Sequence, residues 1–277
     1  MEEEEAKAPS RPHHHFVLVH GAGHGAWCWY KLRVLLEDAG HKVSCLDLAG
    51  AGIHPSDTNS ILTFEAYNKP LMDFMSQLPE NEKVILVGHS AGGLSVTYAT
   101  YKFGSKIEVA VYIGASMLRA GLSSEQDIKN GFPDLSSGYG SDVFELNFGL
   151  GPELPPTTVA IRKEFQRQIL YQLSSVEDST LASMLLRPWP TMALSKASWL
   201  GGEEVGAVRR VFVKTAHDRT LTPEQQEAMI KRWPPCEVVE LDSDHCPFFS
   251  APRQLFHALL QASTSSPYAA ASTQLEL

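Results

Sequence analysis

The stretch Gly88-His89-Ser90-Ala91-Gly92 directly follows the apolar run of residues 83–87. A serine between small residues at the end of a buried strand is typical of a nucleophile elbow. The strand-to-helix turn of such an elbow is so tight that larger flanking side chains do not fit, and it lifts the serine hydroxyl above the sheet. The sequence therefore predicts a strand, a nucleophile at Ser90 and a helix, in that order, and it favours a serine hydrolase.

A base and an acid follow along the chain. His245 comes after the strand-like residues 237–241, and Asp218 comes after the strand-like residues 210–214. Because open parallel sheets place their ligand sites at the carboxyl ends of the strands, we expect Ser90, Asp218 and His245 to meet at that edge. The chain order Ser-Asp-His is also the order of the α/β-hydrolase triad.

Other residues compete for the roles of acid and base. Asp242 and Asp244 precede His245 too closely on one segment to bond its distal nitrogen easily, so Asp218 is preferred as the acid. Three further histidines border predicted turns or lie beside the proposed acid: His20, His89 and His217. His245 is preferred as the base because its late strand-to-loop position can reach over the sheet to a central serine.

Ser90, His245 and Asp218 are the residue types that activation of a serine nucleophile requires. A neutral serine hydroxyl is a poor nucleophile, so an imidazole must accept its proton, and a buried carboxylate must fix the ring tautomer. The oxyanion of the tetrahedral intermediate needs backbone donors. We expect these donors to be the N–H groups of Ala91, directly after the nucleophile, and of Ala22, in the glycine-rich loop after a strand predicted at residues 16–19.

The same early loop supports an alternative. Residues 21–26, Gly-Ala-Gly-His-Gly-Ala, match the pattern G-x-G-x-x-G/A after a strand, and Asp47 lies about twenty residues further on, as in a dinucleotide site. The bulky residues 27–30 would crowd the helix N-terminus that must approach a pyrophosphate. An NAD(P)-dependent oxidoreductase would also leave the serine motif unexplained, so it is the less favoured alternative.

Three runs resemble the plant methylesterase and hydroxynitrile lyase group of the α/β-hydrolase superfamily. They are residues 16–30 (FVLVHGAGHGAWCWY), 84–94 (VILVGHSAGGL) and 243–245 (SDH). The resemblance extends over about residues 16–262. It implies an α/β-hydrolase fold, with a mostly parallel central sheet flanked by helices and an inserted cap. It also implies hydrolysis of methyl esters of small carboxylic acids, including salicylate, jasmonate and indole-3-acetate.

Two shorter segments resemble one branch of that group. Residues 144–152 (FELNFGLGP) and 185–188 (LLRP) look most like the branch that acts on methyl indole-3-acetate. The resemblance therefore ranks methyl indole-3-acetate first among the substrates, followed by methyl jasmonate or methyl salicylate. Matching to the family pattern also makes Phe148 and Leu185 the candidate substrate-binding residues.

Two other functions share this fold. In the lyases a threonine follows the early histidine and a lysine follows the catalytic histidine, whereas this chain has Gly21 and Cys246 there. Without a cation beside His245, no evident group would stabilise departing cyanide. Some plant hormone receptors are also α/β-hydrolases, and they bind a ligand with slow turnover or none. Repeated turnover of a methyl ester would separate an esterase from such a receptor.

Composition and periodicity predict how the chain is organised. We expect a disordered acidic tail at residues 1–15, a core at 16–114 and 203–262, a cap insertion at 115–202 and a flexible tail at 263–277. A hydrophobic content of 43% suits a single domain with a full core. Helices are predicted around residues 159–173 and 176–186 of the cap. Its apolar side chains could line a pocket above the serine: Phe132, Tyr139, Phe144, Phe148, Met184, Leu185, Trp189 and Met192.

Charge and cysteine content limit the partners. The formal net charge is -9, and no basic stripe offers a nucleic-acid surface. The sequence contains neither a long apolar span nor a secretory pattern, so no membrane partner is expected and the cytosol is the expected compartment. The four cysteines show neither metal-ligand nor disulfide spacing. We expect no cofactor and no metal, with a small apolar methyl ester as the ligand; a homodimer remains open.

Overall fold

The computed structural model describes residues 13–200 and 204–264. Residues 1–12 of the predicted acidic tail and 265–277 of the predicted C-terminal tail lie outside the described residues. His15, assigned to the acidic tail from the sequence, is instead the first residue of a buried strand. Its two ring nitrogens contact the side chains of Glu82 and Ser44, at 2.6 and 2.9 Å, which satisfy the buried imidazole.

The described residues contain nine strands and twelve α-helices. The strands are β1 (His15–Val19), β2 (Lys42–Leu46), β3 (Val84–His89), β4 (Ile107–Ile113), β5 (Phe144–Asn147), β6 (Thr158–Ile161), β7 (Trp189–Pro190), β8 (Arg209–Thr215) and β9 (Glu237–Leu241). The helices are α1 (Tyr30–Asp38), α2 (Phe64–Gln77), α3 (Gly92–Phe103), α4 (Glu125–Gly131), α5 (Leu135–Tyr139), α6 (Lys163–Leu170), α7 (Val176–Leu185), α8 (Thr191–Ser195), α9 (Glu204–Ala207), α10 (Pro223–Arg232), α11 (Pro247–Ser250) and α12 (Pro252–Thr264). None of these described helices combines the length and apolar character needed to cross a bilayer.

Six strands form the central sheet, in the order β2-β1-β3-β4-β8-β9, and each neighbouring pair is parallel. This sheet confirms the predicted α/β class. The chain places β2 on one side of β1 and then crosses to place β3 on the other side. Such a reversal of strand order opens a crevice at the carboxyl edge, where α/β sheets bind ligands. The loops after β1 and β3 flank that crevice.

Both faces of the central sheet are covered. Phe16 and Leu18 pack into one cluster with residues of α1 and α12, while Val17 and Val19 pack into a second cluster with residues of α2 and α3. Successive residues of a strand point to opposite faces, so each face takes every second side chain. Because neither face meets water, the central strands are apolar throughout rather than alternating.

The segment predicted as a cap folds mainly into helices and a second, antiparallel sheet in the order β5-β6-β7. Helix α7 confirms the helix predicted at residues 176–186. The helix predicted at 159–173 is wrong at its start, because residues 158–161 form strand β6 and the helix begins only at Lys163. The β-branched residues Thr158, Val159 and Ile161 suit a strand that pairs on both sides.

Replacing Gly92 by alanine should destabilise the fold. A Cβ atom there would lie 2.6 Å from the carbonyl oxygen of His20 and 2.8 Å from that of Val19, so α3 would have to move away from β1. We expect the free energy of unfolding to fall by about 1–3 kcal/mol, as overpacking typically costs. Urea denaturation of the purified variant measures this change.

Gly138→Ala is the matched control, because no heavy atom lies within 4 Å of the added Cβ. Alanine favours helix over glycine by up to about 1 kcal/mol, so this variant should be as stable as the parent or slightly more stable. Equal stability of the two alanine variants would show that the contact between α3 and β1 is looser than described.

Candidate active site

Ser90 occupies the tight turn between β3 and α3. Its φ angle is 53°, a left-handed conformation that is uncommon for residues with a side chain. The turn is held from outside: the Ser90 amide donates to the carbonyl of Ile113 at 3.2 Å, and the Ser90 carbonyl accepts from the amides of Gly93 and Ser116, both at 3.0 Å. A strained backbone held in this way after a strand is typical of a nucleophile elbow.

His245 and Asp218 form a buried pair. The distance from His245 Nδ1 to Asp218 Oδ2 is 2.8 Å. Because a carboxylate accepts, Nδ1 carries the hydrogen, and Nε2 keeps the lone pair that a general base needs. Asp218 is itself fixed: the Thr215 hydroxyl donates to Oδ2 at 2.7 Å, and the amides of Thr220 and Leu221 donate to Oδ1 at 2.7 and 2.9 Å.

The structure brings the three predicted residues to one cavity edge. Ser90 and His245 both line the same cavity, and Asp218 lies behind His245. Among the described hydrogen bonds, none joins the Ser90 hydroxyl to the His245 ring. In free enzymes this bond is often long and tightens when substrate binds. The bond between His245 and Asp218 is therefore already formed without substrate. Ser90 and His245 lie in the wall of the same cavity.

Asp242 and Asp244, the alternatives to Asp218 as the acid, have other hydrogen-bond partners. Asp244 is fully buried, and five hydrogen bonds reach its two oxygens. The donors are the amides of Leu173, Ser174 and Cys246 and the hydroxyls of Ser174 and Ser250. Asp244 thus ties the cap to the loop that carries His245. Asp242 instead pairs with the ring of His217 at the surface.

Asp47 links the loop that contains Ala26 to the loop that contains Ile53. Its Oδ1 accepts from the amide of Ala26 at 2.7 Å, and its Oδ2 accepts from the amide of Ile53 at 3.2 Å. A ribose-binding carboxylate would need an oxygen facing a ligand. Asp47 instead accepts from the amide of Ala26 in the glycine-rich loop at residues 21–26. It is therefore not available as the ribose-binding carboxylate that a dinucleotide site would need.

The predicted oxyanion donors flank the nucleophile. Ala22 and Ala91 both line the cavity beside Ser90. In the described part of the chain, no backbone carbonyl or side chain accepts a hydrogen bond from either amide. The early loop also lies directly against the elbow, because a Cβ atom on Gly21 would come within 2.8 Å of the Ser90 Cβ.

The cavity beside Ser90 has a volume of about 260 Å³. This is just below the range of about 300–1,000 Å³ that is usual for small-molecule sites. Its apolar wall is built from both the core and the cap: Leu94, Phe132, Phe144, Ile161, Leu186 and Trp189. The site therefore suits a small ligand with a largely apolar body.

Three of the eight cap residues predicted to line a pocket do so: Phe132, Phe144 and Trp189. The two substrate-binding candidates are not among the residues that line the cavity. Phe148 is 41% exposed just beyond β5, and Leu185 is 39% exposed at the end of α7. Successive residues at a helix end point in different directions, and it is the next residue, Leu186, that faces the cavity.

Two buried histidines at the site have no role predicted from the sequence. His24, in the early loop, lines the cavity and lies 2.7 Å from the hydroxyl of Tyr171 in the cap. Burial lowers the pKa of His24 to about 3. His89 donates from Nε2 to the carbonyl of His245 at 2.7 Å, which fixes the loop of the base. The glycine-rich loop could have drawn attention to His24, but the sequence carries no signal for its partner in the cap.

The cysteines are all free. Cys246, next to the base, is fully buried, and burial raises the pKa of its thiol well above the ordinary value, so it is neutral. Cys236 is exposed. Within residues 13–200 and 204–264, no cluster of three or more histidine, cysteine or acidic side chains is arranged to hold a metal ion.

Three buried histidines make folding stability depend on pH. Burial lowers the pKa of His20, His24 and His89 from the ordinary value of 6.5. Below that pH the unfolded chain binds protons that the folded chain does not. The free energy of unfolding is therefore fully present above about pH 6.5 and decreases as the pH falls towards 3. Urea denaturation at several pH values should show this decrease.

His24→Gln should make the decrease shallower, by up to about 1.4 kcal/mol per pH unit, since each proton contributes that much. His257→Gln, at an exposed position of α12, is the control with which the slope of His24→Gln is compared. An unchanged slope in His24→Gln would contradict the burial of a neutral ring at that position.

Comparison with known proteins agrees with this geometry. A sequence model of the Alpha/beta hydrolase family matches residues 16–259. Methylesterase 17 of Arabidopsis thaliana is 52% identical over 263 residues, which cover 93% of this chain and 94% of the relative. Pheophorbidase of Raphanus sativus is 45% identical over 250 residues, 90% of this chain and 94% of the relative.

A solved structure shows the same fold. The crystal structure of the methylesterase MES16 from Arabidopsis matches with a TM-score of 0.82 and 44% sequence identity, covering 90% of this chain and 98% of that one. With esterase relatives along nearly its whole length, the chain is a carboxylic ester hydrolase. Its elbow, its acid-base pair and these similarities all place the chain in the α/β-hydrolase family, within the plant methylesterase group.

Proposed function

We propose that this enzyme hydrolyses methyl esters of small, largely apolar carboxylic acids, with methyl indole-3-acetate as the first candidate substrate. The observation that supports this most is the apolar cavity of about 260 Å³, which has Ser90 and His245 in its wall. A small ester can place its acyl body against the apolar side chains and its carbonyl carbon at Ser90.

Acylation begins with attack by Ser90 Oγ on the ester carbonyl carbon. As the bond forms, His245 Nε2 takes the hydroxyl proton, and Asp218 stabilises the imidazolium through Nδ1–H. Negative charge develops on the former carbonyl oxygen, where the amides of Ala22 and Ala91 donate to it. His245 then returns its proton to the methoxy oxygen, the C–O bond breaks, and methanol leaves an acyl-enzyme on Ser90.

Deacylation repeats these steps with water. His245 takes a proton from a water molecule, whose oxygen attacks the acyl carbon, and the same two amides hold the second oxyanion. The proton passes to Ser90 Oγ as the ester bond to the enzyme breaks. The products are the free carboxylic acid and methanol, and no cofactor enters the balance.

The order of candidate substrates has two supports. Residues 144–152 and 185–188 resemble the branch that acts on methyl indole-3-acetate, and this supports ranking that ester ahead of methyl jasmonate and methyl salicylate. The aromatic residues Phe132, Phe144 and Trp189 line the cavity, and aromatic walls favour a planar ring through stacked or edge-to-face contacts. One methylene changes selectivity by only about 1–3 kcal/mol, so related esters are expected to compete.

The geometry disfavours the lyase alternative. A Cβ atom on Gly21 would lie 2.8 Å from the Ser90 Cβ and 2.9 Å from the His89 ring, so this backbone gives no room for the threonine of the lyases without a shift. Cys246 stands where the lyases have lysine, and its buried neutral thiol offers no positive charge to departing cyanide. Both positions therefore favour an esterase.

Ser90→Ala should abolish ester hydrolysis while leaving the fold intact. The test incubates the parent enzyme and the variant with methyl indole-3-acetate, methyl jasmonate, methyl salicylate and a cyanohydrin, and measures released acid or cyanide. We expect repeated, Ser90-dependent release of acid, fastest from methyl indole-3-acetate. Urea denaturation of the variant serves as the folding control.

Each other outcome of this panel would overturn part of the proposal. Full activity in Ser90→Ala would refute the mechanism. Tight binding of an ester with less than one turnover would favour a hormone-binding receptor, and cyanide release would favour a lyase. Faster hydrolysis of jasmonate or salicylate ester would replace the first candidate but keep the enzyme class.

Asp218→Asn and Asp244→Asn should separate two roles of buried carboxylates. Loss of the Asp218 charge disturbs the tautomer and the imidazolium of His245, so we expect kcat to fall by roughly ten-thousandfold with the fold retained. Loss of the Asp244 charge instead places an amide group among five donors, so the main effect should be a lower free energy of unfolding. Steady-state kinetics and urea denaturation measure both quantities. A larger kcat loss in Asp244→Asn than in Asp218→Asn would show that Asp218 is not the acid of the triad.

A further inference from the structure

His24 is a buried group that the proposed mechanism does not use. Its side chain is 1% exposed, yet it lines the cavity together with Ser90. Nδ1 lies 3.2 Å from the carbonyl oxygen of Ala22, and Nε2 lies 2.7 Å from the Tyr171 hydroxyl. The ring therefore sits between the loop of one oxyanion donor and a residue of the cap.

The hydrogen bonds of His24 are satisfied by one tautomer. A neutral imidazole has one N–H donor and one acceptor nitrogen. The Ala22 carbonyl can only accept, so Nδ1 must carry the hydrogen, and Nε2 must accept from the Tyr171 hydroxyl. The thiol of Cys246 lies 3.9 Å from the same Nε2 and adds a weak donor. Burial lowers the pKa of His24 to about 3, which keeps the ring neutral as this arrangement requires.

Tyr171 is well placed to hold the tautomer. It directly follows α6 in the cap and is fully buried. Burial raises the pKa of its hydroxyl well above the ordinary value, so the hydroxyl keeps its proton. The ring makes edge contacts with His24 at 6.0 Å and a tilted contact with Phe249 at 5.9 Å between centroids, so packing fixes the direction of the hydroxyl.

We propose that Tyr171 and His24 are positioning residues for the oxyanion hole, with the Tyr171 hydroxyl fixing the His24 tautomer that holds the Ala22 loop. The hydrogen bond from Nδ1 to the Ala22 carbonyl holds the peptide between Ala22 and Gly23. The His24 amide also donates to the Gly21 carbonyl at 3.3 Å, and that peptide carries the Ala22 N–H. His24 thus contacts both peptides that flank Ala22. The inference rests on the proposed role of the Ala22 amide in ester hydrolysis.

A second bond from the cap acts on the same loop. The amide of Arg187 donates to the carbonyl of Gly23 at 2.9 Å, and Gly23 has a φ of 76°. The cap thus reaches the loop at two points, directly at the Gly23 carbonyl and through Tyr171 and His24 at the Ala22 carbonyl. Pre-aimed donors cost no reorganisation during the reaction, so a loop held in this way contributes to kcat rather than to substrate binding.

Tyr171→Phe tests the proposal by removing one hydroxyl and keeping the ring. We expect kcat for p-nitrophenyl acetate, a general ester probe, to fall by roughly tenfold to a hundredfold, which is less than the loss of a whole oxyanion donor. KM should change less than about twofold, because the loop acts on the transition state.

Tyr112→Phe is the matched control, since it also removes a buried hydroxyl, one that contacts Thr97 at 2.9 Å in the core away from the early loop. It should lose stability to a similar extent and keep kcat. An equal fall of kcat in both tyrosine variants would overturn the proposal, because general loosening would then explain the effect.

Nuclear magnetic resonance of the ¹⁵N-histidine-labelled enzyme gives a readout that needs no substrate. We expect the His24 signals, assigned by their loss in His24→Gln, to show a protonated Nδ1 in the parent and a mixture of tautomers in Tyr171→Phe. Unchanged His24 signals in Tyr171→Phe would refute the role of the hydroxyl even if kcat falls. If no methyl ester is hydrolysed but Tyr171→Phe lowers kcat for p-nitrophenyl acetate and shifts the tautomer, the proposed substrate class fails while the positioning role stands.

Discussion

The close contact between the start of α3 and the end of β1 is the constraint on which the active site depends. Gly92 lies against the carbonyls of Val19 and His20 at a separation that leaves no room for a Cβ atom. Because β1 and β3 flank the point where strand order reverses, this contact sets the elbow of Ser90 directly beside the loop after β1. The nucleophile and the proposed oxyanion donors are therefore placed together by backbone packing, before any side chain contributes.

Three carboxylates at the ends of strands or in the loops that follow differ in function because they have different hydrogen-bond partners. Asp47 joins two backbone loops, Asp244 joins the cap to the histidine loop, and Asp218 faces an imidazole nitrogen. All three accept hydrogen bonds from backbone amides, so the amides alone do not distinguish them. What distinguishes Asp218 is the His245 ring, which receives both an orientation and a nearby negative charge that stabilises its protonated form.

The sequence predicted the catalytic residues that belong to local motifs. Ser90, Asp218 and His245 each follow a predicted strand, and parallel strands bring their ends to one edge whatever lies between them. It failed where a side chain's direction depends on distant packing. Phe148 and Leu185 match a family pattern, yet both are exposed and neither is among the residues that line the cavity. The contact of Tyr171 with His24 joins residues 147 positions apart, and no spacing rule reveals it.

The segment from Tyr171 to Ser174 has a consequence for how the molecule unfolds. Its residues bond the early loop through His24, the acid loop through the carbonyl of His217, and the histidine loop through Asp244. Local opening of a region requires that few bonds tie it to its surroundings. This part of the cap cannot open without breaking bonds to all three core loops. We therefore expect its amide hydrogens to exchange with solvent mainly in the larger openings that also disrupt the active site.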